Sequence, residues 1–189
     1  MSEECYHTDA SVAEYITLAK DVNAKELIEQ LKSVLPEQAS LLELGSGPGT
    51  DWEILNETYQ TTGSDNSQQF LAHLAKRHPS GKFIELDAAK LETADKFDGI
   101  FSNKVLHHLT DQALATSIER QAKILNPKGI ICHSFWKGEG SEVFKGMFVN
   151  YHSIADIKEA FEQLFEIITL ERYQEFDADD SLLLIARLK

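Results

Sequence analysis

A glycine-rich turn is the segment of this sequence best suited to binding a ligand. In residues 41–49, Leu-Leu-Glu-Leu-Gly-Ser-Gly-Pro-Gly, an apolar run breaks into a turn, and a helical pattern follows. Gly45, Gly47 and Gly49 would let a ligand approach the backbone closely, and the next helix start offers unpaired N–H groups and a positive dipole end. Thr50 stands where the dinucleotide-binding pattern G-x-G-x-x-G requires glycine. The turn therefore predicts a nucleotide-type site that differs from the usual dinucleotide site.

Three acidic residues lie at the ends of three successive predicted strands. Glu43 is inside the strand before the glycine turn, Asp65 follows the second strand, and Asp87 follows the third. A buried carboxylate is costly without a cation or donors, so Glu43 predicts an ammonium or sulfonium ligand, or else a lysine partner or a loop cap. Asp65 could accept both hydroxyls of a ribose and Asp87 an exocyclic adenine amine, although Asp is also an ordinary turn residue. Open parallel sheets bind ligands at this edge, so the three residues indicate one crevice.

Short apolar runs alternate with helical patterns, as is typical of a parallel sheet covered on both faces. The predicted strands span residues 40–44, 61–64, 83–86, 97–102 and 130–135, and the predicted helices span residues 11–35, 51–58, 111–125 and 153–164, with a further helix burying Phe70, Leu71 and Leu74. Two apolar runs at the end, residues 165–172 and 182–188, are joined so closely that they must be antiparallel. The predicted fold is a doubly wound α/β sheet of seven mostly parallel strands, with helices on both faces and a C-terminal antiparallel hairpin.

Length, charge and cysteine content narrow the functional class. The 189 residues suit one domain, and a net charge of -13 without a basic stripe argues against a nucleic-acid partner. The two cysteines do not suggest a disulfide framework or a thiolate metal site. Because the first twenty residues lack a signal-peptide pattern and no apolar stretch approaches the length of a membrane span, we expect a cytoplasmic protein with no membrane partner.

From residue 41 to about residue 136 the sequence resembles class I S-adenosylmethionine-dependent methyltransferases, particularly the small single-domain ones. The resemblance implies a Rossmann-like methyltransferase fold, S-adenosylmethionine as cofactor and S-adenosylhomocysteine as product. It implies a helical lid over residues 1–36, a cofactor-binding core over residues 37–136, and a substrate-side segment with the C-terminal hairpin over residues 137–189. The turn would hold the methionine part, Asp65 the ribose, and Asp87 with Ala88 the adenine. The cofactor-binding residues so implied are Tyr15, Glu43, Gly45, Ser46, Gly47, Gly49, Asp65, Asn66, Ser67, Asp87, Ala88 and Asn103.

Methyl transfer from a sulfonium needs mainly alignment and exclusion of water, so a catalytic base is optional. His107 and His108 are the candidate catalytic residues, because the loop after strand four borders the transferred methyl in the family; packing is the alternative role. We expect no metal, since adjacent histidines point differently and no third ligand is evident.

The acceptor is expected to be a small molecule. The aromatic and methionine side chains of residues 136–151 would either line an apolar acceptor pocket or form the buried face of a short helix. The pattern Asn-Pro-Pro-aromatic is absent after strand four, and Cys132 lies inside strand five, so methylation of adenine nitrogen or of the cytosine ring is disfavoured.

Three alternative functions remain open from the sequence. The first is aminopropyl transfer on the same fold, and the second is non-enzymatic binding of an adenosyl cofactor. The third, more remote, is an NAD-dependent oxidoreductase, against which Pro48 and Thr50 argue.

Overall fold

The architecture is one seven-stranded sheet with helices on both faces and a small separate hairpin. The structure is a computed structural model that describes residues 23–144 and 146–189. The helices are α1 (Lys25–Lys32), α2 (Thr50–Asn56), α3 (Gln68–Arg77), α4 (Asp111–Ile124) and α5 (Ile154–Phe161), and a 3₁₀-helix spans Leu106–His108. The strands are β1 (Ser40–Leu44), β2 (Gln60–Asp65), β3 (Lys82–Glu85), β4 (Phe97–Asn103), β5 (Leu125–Trp136), β6 (Ser141–Phe144), β7 (Met147–Asn150), β8 (Phe165–Tyr173) and β9 (Ser181–Leu188).

The strand order is β3-β2-β1-β4-β5-β9-β8. Strands β1 to β5 are parallel to one another, whereas β9 is antiparallel to both β5 and β8. The order changes direction beside β1, where β2 lies on one side and β4 on the other, and this is the point at which such sheets open a crevice at the carboxyl ends of the strands. The predicted fold class, including the C-terminal antiparallel hairpin, is confirmed.

Two apolar cores lie on opposite faces of the sheet, because neighbouring side chains of a strand point to opposite sides. Leu42 belongs to the core that includes Ile118 of α4 and Phe161 of α5, whereas Leu41 belongs to the core that includes Ile28 of α1. All five side chains are buried. Burial of each contributes about 1.5–3 kcal/mol to folding, so these two layers hold the carboxyl ends of the strands in place.

Two helix predictions need correction. The helical region predicted over residues 11–35 is helical from Lys25 to Lys32 within the described chain, while residues 11–22 lie outside it. The helix ends early because Ser33 and Val34 form a turn ahead of Pro36. In α3, Phe70 and Leu74 are buried as predicted, but Leu71 is only half-buried.

The segment after β5 forms a hairpin rather than a helix. Strands β6 and β7 pair antiparallel, from Ser141 opposite Asn150 to Phe144 opposite Met147. The alternative that these side chains form the face of a short helix is therefore wrong. The spacing of the apolar residues did not distinguish the two forms, because short apolar runs fit either period.

Candidate cofactor and acceptor site

Two glycines shape the turn between β1 and α2. Gly45 has a φ of +66° and Gly49, which precedes α2, has a φ of +91°. A Cβ atom on Gly45 would lie 2.6 Å from Cγ2 of Val105, and one on Gly49 would lie 2.4 Å from Cδ2 of Leu74. Both positions combine a left-handed backbone with a close approach, so a larger residue would push the turn away from the loop after β4 or from α3.

Glu43 is a carboxyl group buried inside the sheet, with 3% of the residue exposed. Its Oε2 accepts a 2.5 Å hydrogen bond from Oγ of Ser46, which in turn accepts the backbone N–H of Ser64 at 3.0 Å. Burial and the nearby charge of Asp51 raise the pKa of Glu43 to about 8, and no basic residue of the described chain contributes to that pKa. The described residues therefore do not show Glu43 paired with a lysine. A cationic ligand would favour the ionised form of its carboxyl group.

Asp65 ties the glycine turn to the end of β2. Its Oδ2 accepts the backbone N–H of Gly47 at 3.0 Å, and its Oδ1 accepts that of Ser67 at 2.9 Å. Ser67 in turn caps α3, its Oγ accepting the N–H of Phe70. Asn66 between them is exposed. The Asp65 carboxylate therefore lies between the glycine turn and the start of α3.

Asp51 is an acidic residue of this site that the sequence analysis missed. Its Oδ1 accepts the N–H of Ala24 at 2.7 Å, and its Oδ2 accepts Nδ2 of Asn103 at 3.1 Å. The other end of the Asn103 amide, Oδ1, accepts Oγ of Ser134 at 2.6 Å. Burial raises the pKa of Asp51. Its position in the first turn of the helix after the glycine turn was the available signal, but the partners on β4 and before α1 are visible only in the fold.

The Asp87 and Ala88 loop lies farther along the same edge. Asp87 is exposed, and its Oδ1 accepts the N–H of Ala89 at 2.7 Å. Ala88 is half-buried, and its carbonyl oxygen accepts Oγ of Ser117 at 2.6 Å. The loop therefore has its own turn geometry and an anchor on α4.

The two histidines after β4 differ in their partners. His107 is 2% exposed, its Nδ1 has no partner among the described residues, and burial lowers its pKa to about 2. Nδ1 of His108 lies 2.7 Å from the carbonyl oxygen of Phe148. Because a carbonyl can only accept, Nδ1 of His108 donates and Nε2 carries the lone pair. Burial lowers the pKa of His108 as well, so both rings are neutral at pH 7.

Lys104, which follows Asn103 but is not among the predicted site residues, joins the loop after β4 to β5 and β9. Its φ of +54° is unusual for a residue other than glycine. Its Nζ donates to the carbonyl of Phe135 at 3.2 Å and to Oγ of Ser181 at 2.5 Å, and lies 3.5 Å from the ring centre of Trp136 and 3.9 Å from Oε2 of Glu175. Burial lowers the pKa of Lys104 to about 8. These contacts join the end of β4 to β5 and β9.

The other features of the described residues do not include the predicted site residues. An open depression of about 460 Å³ lies at the opposite edge, lined by the starts of β1 to β4, where none of the predicted site residues is found. Across residues 23–144 and 146–189, no cluster of histidine, cysteine and acidic side chains is arranged to hold a metal ion. None of the helices described there has the length and apolar character to cross a membrane. Tyr15 lies outside the described residues.

Known proteins resemble this chain in sequence and in fold. Residues 41–129 match the model of a family described as a methyltransferase domain. Residues 41–129 of the chain are therefore similar to a methyltransferase domain. The resemblance stated from the sequence is thereby confirmed, and the match covers the glycine turn, the acidic residues and both histidines.

The methyltransferase domain has curated relatives of different acceptor chemistry. It is 27% identical over 138 residues to dTDP-3-amino-3,4,6-trideoxy-α-D-glucopyranose N,N-dimethyltransferase of Streptomyces venezuelae, covering 70% of this chain and 58% of that enzyme. It is 33% identical over 112 residues to trans-aconitate 2-methyltransferase of Variovorax paradoxus, covering 57% of this chain and 42% of that enzyme. The chain thus spans less than two thirds of the length of either relative.

Solved structures share the fold over nearly the whole chain. An S-adenosylmethionine-dependent methyltransferase from Clostridium acetobutylicum superposes with a TM-score of 0.76 at 14% identity, covering 95% of this chain and 98% of that one. The N-methyltransferase NodS of Bradyrhizobium japonicum, in complex with S-adenosylhomocysteine, superposes with a TM-score of 0.74 at 19% identity, covering 96% of this chain and 98% of that one. At these identities the likeness establishes the fold of the methyltransferase domain.

Proposed function

We propose that this methyltransferase domain transfers a methyl group from S-adenosylmethionine to a small-molecule acceptor and releases S-adenosylhomocysteine. The observation that carries the proposal is the buried Glu43 carboxyl group, which has no cationic partner in the described chain and lies against a glycine turn. A ligand that combines positive charge with hydroxyl groups and an adenine fits this edge. When bound, S-adenosylmethionine supplies an electrophilic methyl group on a sulfonium.

On the cofactor side the residues bind and orient. Glu43 and Asp51 together favour a cation, since each has its pKa raised in the free protein and gains by ionising next to positive charge. Asp65 accepts ribose hydroxyls, and the Asp87–Ala88 loop contacts the adenine. The turn between Gly45 and Gly49 lies at the same edge of the sheet, and its glycines let the methionine part of the cofactor approach the backbone closely.

On the acceptor side we assign the proton-accepting role to His108 rather than to His107. The carbonyl of Phe148 fixes the tautomer of His108 so that Nε2 presents a lone pair. His107, whose pKa is about 2, is too weak a base near neutral pH and serves to line the site. His108 would hold the proton lost by a hydroxyl or amine acceptor.

A small acceptor agrees with the charge of the chain and with its relatives. The net charge of -13 disfavours a polyphosphate partner. The two curated relatives are named for small molecules, an amino sugar nucleotide and trans-aconitate. These observations support the class of acceptor.

Thermal denaturation of the full chain with added ligand tests the cofactor. S-adenosylhomocysteine at one hundred times its Kd should add about 2.7 kcal/mol to the free energy of unfolding, while NAD should add nothing. Asp65→Ala should reduce the shift, whereas Asp95→Ala, which breaks an exposed ion pair with Lys82 at the opposite edge, should not. A shift with NAD alone would overturn the proposal.

A screen of metabolite extract with methyl-labelled S-adenosylmethionine tests the reaction. Label should appear in a small molecule, and label confined to protein or nucleic acid would contradict the acceptor class. Transfer of an aminopropyl group from decarboxylated S-adenosylmethionine should be measured in parallel. Activity in that assay alone would favour an aminopropyltransferase.

A further inference from the structure

A chain of buried polar side chains crosses one face of the sheet. Oγ of Ser102 lies 2.8 Å from Nδ1 of His133, and Nε2 of His133 lies 2.8 Å from Oε1 of Gln121. Nε2 of Gln121 donates to Oγ of Ser117 at 3.2 Å, and Oγ of Ser117 donates to the carbonyl oxygen of Ala88 at 2.6 Å. All four side chains are 0% exposed. The chain therefore connects the end of β4, through β5 and α4, to the loop that follows β3.

The hydrogen bonds all run in one direction. Because Oε1 of Gln121 accepts, Nε2 of His133 carries the hydrogen, and Nδ1 is left to accept from Ser102. Burial lowers the pKa of His133 to about 3, so the ring stays neutral at physiological pH and this arrangement does not change with protonation. A series of bonds aligned in this way polarises each member and strengthens the last one, from Ser117 to Ala88.

An apolar set of side chains at this position would avoid the cost of burying four polar side chains. The surrounding core is apolar, with Ile118 and Ile131 near the polar residues in sequence and buried in the same layer. The feature that an apolar set would lack is a donor for the Ala88 carbonyl. One turn farther along α4, Arg120 donates to the carbonyls of Lys90 and Leu91 at 3.0 and 2.9 Å. Helix α4 thus holds the loop at two separate places, and only the Ser117 contact is at the predicted adenine position.

We infer that Ser117, supported by Gln121 and His133, is a positioning residue that sets where the Asp87–Ala88 loop meets the adenine of the cofactor. The inference rests on the proposed function. It assigns cofactor affinity to residues that lie outside the crevice and touch no ligand themselves. The polar chain stiffens the loop before the cofactor arrives, so that less ordering remains to be done on binding.

Ser117→Ala in the full chain tests the inference, with Thr116→Ala as the matched control. Thr116 is the next residue of α4, and its Oγ1 donates to the carbonyl of Gln112 on the exposed side of the helix. By calorimetry, Ser117→Ala should weaken S-adenosylhomocysteine binding about tenfold and Thr116→Ala should leave it unchanged. Turnover by Ser117→Ala at saturating S-adenosylmethionine should stay near wild type while KM rises, a split that general destabilisation does not produce.

Amide hydrogen exchange gives a readout without ligand. The N–H groups of Ala89, Lys90 and Leu91 bond to the side chain or carbonyl of Asp87, and in Ser117→Ala their exchange should quicken while that of β1 stays unchanged. Gln121→Leu, which leaves the Ser117–Ala88 bond possible but unsupported, should give a smaller effect of the same kind and serves if Ser117→Ala does not fold. Unchanged affinity with unchanged exchange at these amides overturns the inference. Failure of the wild type to bind S-adenosylhomocysteine overturns the proposed function instead.

Discussion

The two sides of the site are assembled in different ways. On the proposed cofactor side most residues lie in one stretch, residues 43–67, in which Glu43, Ser46 and Asp65 bond to one another or to backbone within 18 positions of sequence. The proposed acceptor side includes the 3₁₀-helix, β7 and the neighbouring Lys104, and it joins residues as far apart as Lys104 and Ser181, 77 positions away. The cofactor side depends on residues that are close together in sequence. The acceptor side depends on the order of the strands, which brings distant residues together. Substitutions on the cofactor side should therefore change cofactor affinity, whereas those on the acceptor side should change turnover or stability.

The largest expected effect is on the cofactor side, from Gly45→Ala. The new Cβ would meet Val105 at 2.6 Å in a left-handed backbone, so the turn must move, and a displacement of this size should weaken S-adenosylhomocysteine binding about 10²-fold. Gly140→Ala is the matched control, because Gly140 also has a positive φ, +73°, but has nothing within 4 Å of its Cβ position. Equal loss of affinity in both variants, measured by calorimetry, would show that backbone strain rather than close approach decides the result.

On the acceptor side, His108→Gln should lower turnover about 10²-fold and leave the Kd of S-adenosylhomocysteine unchanged, because His108 is proposed to take a proton from the acceptor and not to bind cofactor. The pH profile of turnover should lose its acidic limb in this variant. His107→Gln, measured in the same assay once the acceptor is known, should cost less. A stronger loss at His107 than at His108 would reverse the assignment of roles.

A pH titration sharpens the comparison at Glu43. A cation binds the ionised carboxylate, whose pKa in the free protein is about 8, so affinity for S-adenosylmethionine should rise as pH increases from 6 to 8, by at most about tenfold per pH unit. Glu43→Gln should remove this dependence and weaken binding, while Glu57→Gln, an exposed residue, should behave as wild type. An affinity in the wild type that is flat over this range would contradict the proposed partner of Glu43.

Glu43 also predicts whether the free energy of unfolding rises or falls with pH when no ligand is bound. The pKa of Glu43 is higher in the folded chain than in the unfolded chain, so the folded state binds more protons between about pH 4.5 and 8. Its contribution to the free energy of unfolding is therefore lost as pH rises through this window. Urea denaturation of wild type against Glu43→Gln at pH 5 and pH 8 should show the difference, with the variant the less sensitive to pH.

The smallest effect on the cofactor is expected from Lys104→Met. Removing the ammonium removes its hydrogen bonds to Ser181 and to the carbonyl of Phe135 and its ion pair with Glu175, which should lower the free energy of unfolding by about 1–3 kcal/mol. The Kd of S-adenosylhomocysteine should change less than twofold. A large loss of cofactor affinity in calorimetry would mean that the two sides are coupled through Asn103, the residue before Lys104.

The sequence predicted some parts of the structure better than others, because a local pattern indicates a local element but not its distant partners. β1 was predicted at Ser40–Leu44 and found there, because an apolar run bounded by a proline and a glycine turn carries its own limits. The hairpin of β6 and β7 was missed because its apolar residues fit two periods. Asp51 and Lys104 were not named as site residues, because their hydrogen-bond partners come from distant parts of the chain.

By itself the amino-acid sequence determined the alternation of strands and helices, the glycine turn and the acidic residues at the ends of successive strands, since periodicity and backbone preference act between near neighbours. Only the tertiary structure decided which polar residues meet. Ser102, His133, Gln121 and Ser117 are separate polar positions along the chain, and they form one buried connection only once β4 and β5 pair and α4 packs across them. The physical reason is that the cost of a buried polar group depends on its partner, and the partner is set by the strand order.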